Sequence, residues 1–203
     1  MTSAKGAQAS PPSSPKTSIQ PQAGLEIRDA RPEDMEQIQR IYAHHVQHSI
    51  ATFEEIPPSV QEMQERLAKT MALGLPYLAA ILDGKVAGYC YATLYRPRAA
   101  YRYTLEDSIY LAPAQSGKGL GKVLLAELIR RCEQGPWRQM VAVIAGHDNR
   151  GSIALHRNLG FAYVGSQPAT GYKFNQWIDV VFMQRALGPG ADTPPEPWQG
   201  PPA

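Results

Sequence analysis

Between Gln115 and Gly121 the chain reads QSGKGLG and runs directly into KVLLAELIRRC. Glycines at 117, 119 and 121 let the main chain approach a ligand closely and take positive φ. A helix opening at this point adds free N–H groups and a partial positive charge. Together they form an anion site and point to a phosphate-bearing ligand. The turn is not a P-loop, because Gly121-Lys122 is followed by Val123 rather than Ser or Thr. It is not the dinucleotide fingerprint either, since the spacing is GxGxG rather than GxGxxG. A glycine-rich turn that holds no ligand is the plain alternative.

Three other groupings carry chemistry. Glu106 sits in the middle of TLEDSIYL (104–111), just ahead of the glycine turn. Arg96, Arg98 and Arg102 are interleaved with Tyr95, Tyr101 and Tyr103. Arginines beside stacking aromatics can bind nucleic acid. A net charge of +2 and the lack of a wider basic run argue against that partner. Guanidinium geometry suits a carboxylate or phosphinate clamp instead, and a solvated loop is the bland reading. His44 and His48 share a helix face with His45 beside them, but no HExxH pattern, carboxylate or cysteine completes a set, so no metal is expected.

These groups need a scaffold. Leu25–Arg28 reads as a first strand, and Pro32 suits the first turn of a helix with Met35, Ile38, Ile41, Tyr42 and Val46 on one face. Ser59-Val-Gln-Glu62 is a capping-box pattern and opens a second helix to about Leu73. YLAAIL (77–82), Asp83-Gly84 and KVAGYCYATLY (85–95) form a hairpin with a tight turn. TLEDSIYL is a strand stopped by Pro113, and Leu124, Leu125, Leu128, Ile129 and Cys132 stripe a helix starting near Leu120. MVAVIA (140–145) reads as a strand buried on both faces. A short helix over Ser152–Leu159 and strands over Phe161–Gly165 and Ile178–Leu187 complete the order. That order predicts a mixed α/β sheet flanked by helices.

The 203 residues suit one domain with tails. Residues 1–24 and the proline-rich 188–203 hold too little apolar surface to offset ordering entropy, and read as flexible tails around a domain over 25–187. Trp198 is the one side chain in them suited to docking. The longest apolar run is far short of a membrane span, no signal segment is visible, and Cys90 and Cys132 both fall at apolar positions. A cytoplasmic protein with reduced thiols is therefore expected, with no membrane and no nucleic acid as partner.

Gln115-x-Gly117-x-Gly119-x-Gly121, after a strand and before a helix, resembles the acetyl-CoA loop of the GNAT acetyltransferases. The resemblance covers nearly all of residues 25–187, beginning with IRDARPEDMEQIQRIY. More narrowly, RPRAAYRYTLEDSIYL, SIALHRNLGF and GYKFNQWIDVVFMQ are similar to the phosphinothricin and methionine sulfoximine acetyltransferase branch. The resemblance implies the GNAT fold, with a mixed and mostly antiparallel central sheet. It also implies acetyl-CoA as co-substrate, a small amino acid or analogue as acceptor, and a homodimer. Another small amine as acceptor, or a non-catalytic acyl-CoA-binding module, are the alternatives.

Residue roles follow from the same resemblance. Glu106 would take the proton from the acceptor ammonium, which a partly buried carboxyl group of raised pKa can do. His156 would act as acid or base, in place of the tyrosine common in the superfamily. Gly117, Lys118, Gly119, Leu120, Gly121 and Lys122 would grip the diphosphate. The main chain of Ile109, Tyr110 and Leu111 would pair with the pantetheine arm and polarise the acetyl carbonyl. Asn149 and Ser152 would contact the arm, and either can equally cap a helix. Arg96, Pro97, Arg98, Glu106, Asp107 and Ser108 would meet the acceptor. Tyr95 and Arg98 replace residues common in relatives, which leaves acceptor identity open. Lys173 and Trp177 are pocket-rim candidates, although a tryptophan is more often core.

Overall fold

The computed structural model describes residues 24–197. The expectations for residues 1–23 and for Trp198 lie outside the described residues. Seven strands and four α-helices follow one another: β1 (Leu25–Asp29), α1 (Met35–His48), α2 (Val60–Ala72), β2 (Tyr77–Leu82), β3 (Lys85–Leu94), β4 (Thr104–Leu111), α3 (Leu120–Cys132), β5 (Gln139–Ala145), α4 (Arg150–Asn158), β6 (Ala162–Lys173) and β7 (Gln176–Ala186). The strands form one sheet in the order β1-β2-β3-β4-β5-β7-β6. Every neighbouring pair is antiparallel except β4–β5. Among the described residues no helix is long and apolar enough to cross a membrane.

Local signals account for most element ends. Pro32 opens a short 3₁₀ turn that leads into α1. The Ser59 hydroxyl accepts from the Glu62 amide at 3.1 Å, and the Ser59 amide donates to Glu62 Oε2 at 2.6 Å, so both halves of the capping box form. Ser59→Ala should lower unfolding free energy by about 1 kcal/mol in a denaturant titration, without changing the cleft described below. Asp83 and Gly84 both take positive φ and close the β2–β3 hairpin.

Each face of the sheet is covered. Met35, Ile38, Ile41, Tyr42 and Val46 of α1 pack with Met63 and Leu67 of α2 over Tyr77, Ala79 and Tyr89. On the other face Leu120, Leu124, Leu125, Leu128, Ile129 and Cys132 of α3 pack over Leu78, Cys90, Leu105 and Met140. Cys90 and Cys132 are buried free thiols.

The last hairpin departs from the expectation. β6 runs to Lys173, far beyond the expected segment 161–165, while β7 spans Gln176–Ala186, close to the expected 178–187 but starting two residues earlier. Pro168 and the nearby glycines discourage a strand reading, yet β6 is an edge strand, where a missing donor is tolerated. Register shifts between Tyr163 and Gly165 and between Gln167 and Gly171 absorb the irregular residues. The Asp179 carboxylate accepts from the Ala169 amide at 2.9 Å beside the second shift. Trp177, suited to a core by type, is 67% exposed on this hairpin. Beyond β7, Leu187 is buried and Arg138 holds Thr193 and Pro194, so part of 188–197 lies against the domain.

One feature of the sheet creates the site. β4 and β5 pair only from Thr104/Gln139 to Asp107/Ala142, although β4 continues to Leu111 and β5 to Ala145. Ser108–Leu111 remain on β3, and Val143–Ala145 remain on β7. At its far end β4 is tied towards α1, where His45 Nε2 donates to the Leu111 carbonyl at 2.9 Å. β5 is tied to β7, where the Gly146 amide donates to the Asp179 carbonyl at 2.8 Å. The sheet therefore opens between them as a wedge.

Candidate active site

The wedge widens into a cavity of about 810 Å³, lined by Glu106–Leu111 on β4, Ala142–Ala145 on β5, the glycine turn, the start of α4 and Ala51–Phe53. Side chains alternate along β4, so neighbours face opposite sides of the sheet. Leu105 belongs to the core under α3, while Tyr110 packs with the core under α1. Glu106 accordingly meets the cleft from the α1 side, and Asp107 turns to α4.

Glu106 is partly buried. Burial pushes its carboxyl group above the usual carboxylate range, the neighbouring Asp107 charge adds to this, and Arg96 opposes it. The group thus suits proton uptake nearer neutrality than an exposed glutamate.

Asp107 and His156 form a buried pair, with side chains 1% and 3% exposed. His156 Nε2 lies 3.0 Å from Asp107 Oδ2, and Nδ1 lies 2.7 Å from the Ser152 carbonyl. A carbonyl only accepts, so Nδ1 carries a proton, and the Nε2···Oδ2 contact holds another. Burial lowers the imidazole pKa, but the Asp107 hydrogen bond and charge and the Ser152 carbonyl outweigh it, and the net shift is upward. Both ring nitrogens are thus hydrogen-bonded within the protein. Asp107 Oδ2 meets His156, on the opposite face of the strand from Glu106, and its Oδ1 is buried without a partner. The two-residue period of the strand is the cause.

The glycine turn is open on its cleft side. Gly117 and Gly119 take φ of 75° and 82°, and a side chain at either would meet nothing within 4 Å. Gly119 is the N-cap of α3 and supplies no side-chain cap, so the first-turn amides lack the usual side-chain acceptor. Main-chain amides without a side-chain acceptor at a helix start are a geometry suited to an anion. Asn149 is the N-cap of α4: its side chain accepts from the Ser152 amide at 3.3 Å and donates to the Ala145 carbonyl at 3.4 Å. The capping role of Asn149 is therefore filled, and it stands on the cleft wall as well.

Ser108, Ile109, Tyr110, Leu111, Gly117, Gly119, Gly121, Lys122, Asn149 and Ser152 all line the cleft, as do Glu106, Asp107 and His156. Leu120 does not; it is 1% exposed, in the core under α3. Lys118, Arg96, Pro97 and Arg98 do not line it either, and all four are exposed. Arg96 stacks over the Tyr95 ring at 4.9 Å, within electrostatic reach of Glu106.

Sequence reasoning missed the β5 wall. MVAVIA reads as buried on both faces, but Val143 is 38% exposed because β5 leaves β4 after Ala142. The sequence offers His45 only as a metal-ligand candidate. In the structure its Nε2 holds β4, its buried Nδ1 has no partner, and burial lowers its pKa.

The arrangement can join a phosphate-bearing ligand held at α3 to a protonated nucleophile arriving beside Glu106, with exposed β4 main chain between them. Comparison with known proteins agrees. Residues 27–182 match the acetyltransferase (GNAT) domain family. A phosphinothricin N-acetyltransferase of Alcaligenes faecalis is 52% identical over 170 residues, covering 84% of this chain and 86% of that protein. An L-methionine sulfoximine/L-methionine sulfone acetyltransferase of Pseudomonas aeruginosa is 38% identical over 169 residues, covering 83% and 98%. A crystal structure of a phosphinothricin acetyltransferase from Sinorhizobium meliloti with AcCoA superposes with a TM-score of 0.82 at 48% identity, covering 85% of this chain and 94% of that one. With its wedge-opened sheet and glycine-turn helix, this chain belongs to the GNAT acetyltransferase family.

Proposed function

We propose that this enzyme moves an acetyl group from acetyl-CoA to the α-amine of a small amino acid or analogue of the phosphinothricin or methionine sulfoximine type. The observation that carries the reading is the β4–β5 wedge, with the uncapped start of α3 at one end and Glu106 on its wall. The names of the relatives supply the acceptor class.

The residues fit the coenzyme. The amides of 117–122 hold the diphosphate, without side chains at Gly117 and Gly119 to block approach. The β4 edge over Ile109–Leu111, which β5 leaves unpaired, accommodates the extended arm and presents main-chain donors to the carbonyl oxygen. The thioester supplies the activated acetyl group and a thiolate as leaving group. Glu106 takes the proton that makes the acceptor ammonium unreactive. Ser108, on the Glu106 side of β4, and the Arg96-Pro97-Arg98 loop serve the acceptor, the arginines by reaching its anionic end. His156 is a positioning residue, tying α4 to β4 through Asp107.

Cytoplasmic action is part of this reading, supported by two buried, unbridged thiols. So is a homodimer, supported by the exposed Tyr163, Val164, Tyr172, Phe174 and Trp177 on one hairpin.

Release of free thiol from acetyl-CoA tests the proposal. Turnover with methionine sulfoximine or phosphinothricin supports it. Turnover only with a polyamine, aminoglycoside or peptide amine moves the acceptor elsewhere, and tight coenzyme binding without turnover denotes a binding module. Gly119→Ala should weaken acetyl-CoA by about tenfold, through strain at positive φ and a methyl group at the cradle, measured by titration calorimetry.

A further inference from the structure

Lys173 ends β6, beside a turn whose Phe174 and Asn175 both take positive φ. It is 3% exposed, and among the described residues no salt bridge joins it. A buried ammonium is costly unless its donors are filled. Here Nζ donates to the Ser49 carbonyl at 2.9 Å and the Thr52 carbonyl at 2.8 Å, and lies 4.9 Å from the centre of the Phe174 ring. These are charge-assisted bonds to a loop with no regular structure of its own.

That loop is a wall of the cleft. Ala51, Thr52 and Phe53 line it together with Glu106. Phe53 also rests on β6: a side chain at Gly171 would come within 2.4 Å of its ring. From the helix side the Tyr42 hydroxyl meets Thr52 Oγ1 and Glu54 at 2.8 Å each, and Arg66 holds Glu54 at 2.7 and 3.1 Å. The segment is thus gripped on one side by α1 and α2 and on the other by the β6–β7 hairpin.

We infer that Lys173 is a positioning residue for the acceptor: its ammonium, clamped on the Ser49 and Thr52 carbonyls, fixes the Ala51–Phe53 wall and so sets how well the acceptor fits beside Glu106. The inference rests on the acetyl-transfer reading above. It makes the far hairpin, which carries no reacting group, a determinant of acceptor fit.

Lys173→Met keeps an unbranched side chain one atom shorter and removes its charge and donors. The expected result is an acceptor KM for methionine sulfoximine raised about tenfold, with the acetyl-CoA KM unchanged. Amide hydrogen exchange over residues 49–55 should quicken while β4 stays protected. Lys173→Arg should restore part of the acceptor KM. Gly171→Ala, whose φ suits alanine, should displace Phe53 and raise the acceptor KM with Lys173 in place; it carries the test if the Met variant does not fold. Both KM values rising together, or an unchanged acceptor KM with unchanged exchange, would overturn the inference. If the wild-type enzyme acetylates no amine, the functional reading fails instead, and quickened exchange in Lys173→Met would still establish the clamp.

Discussion

Glu106→Gln should cut turnover by about 10²- to 10⁴-fold near neutral pH and leave acetyl-CoA affinity within about twofold. The amide keeps the size and polarity of the side chain but cannot accept the ammonium proton. In the proposed reading the coenzyme is held by the main chain of β4 and the turn before α3, which the substitution does not touch. The pH profile gives a second reading of the same group. A base must be deprotonated to act, so kcat/KM falls as pH drops through its pKa. Burial first, and the Asp107 charge second, raise that pKa, so the acid limb should lie above the range of an exposed glutamate. Arg96 lowers it, so Arg96→Gln should move the limb to higher pH. Steady-state rates across pH 5 to 9 check both statements. A Gln variant with undiminished turnover removes Glu106 as the base.

The second large effect concerns stability. His156→Ala leaves the Asp107 carboxylate buried at 1% exposure without its partner. Removing one member of a buried pair costs about 3–5 kcal/mol. For a domain of this size each kcal/mol moves Tm by about 2–4 °C, so the melting temperature should fall by about 10 °C. The sign of the pH dependence follows from the shift. The folded-state pKa of His156 is raised, so its stabilisation is complete below the unfolded value of about 6.5 and is lost as pH rises through the folded value. The Tm gap between wild type and His156→Gln should therefore narrow from mildly acidic to alkaline pH. Kinetics separate a positioning group from a reacting one. Folded His156→Gln enzyme should retain both limbs of the kcat/KM profile; disappearance of one limb would make His156 an acid–base group after all.

Local physics made most of the fold legible. The spacing of Met35, Ile38, Ile41, Tyr42 and Val46 set the buried face of α1, and all five are buried. The Ser59–Glu62 box and the Asp83-Gly84 turn formed where their short-range chemistry requires. The glycine turn reads as a candidate anion site from sequence because helix start, absent side chains and positive φ are all properties of a few adjacent residues. The last hairpin was less legible. Whether Pro168 and Gly171 interrupt a strand depends on whether that strand lies at an edge, which a neighbouring strand decides.

The same division runs through the site. Residue types and order were enough to place Glu106 in a strand ahead of a glycine turn, and to put Asn149 at the head of a helix. Spacing along the chain says nothing about partners far apart in it. That β5 parts from β4 after Ala142, that His156 spends both nitrogens on Asp107 and Ser152, and that Lys173 reaches back to Ser49 and Thr52 are contacts between distant segments. Such contacts exist because layers pack to fill space and because every buried polar group must find a partner, and both conditions are met by the assembled chain as a whole.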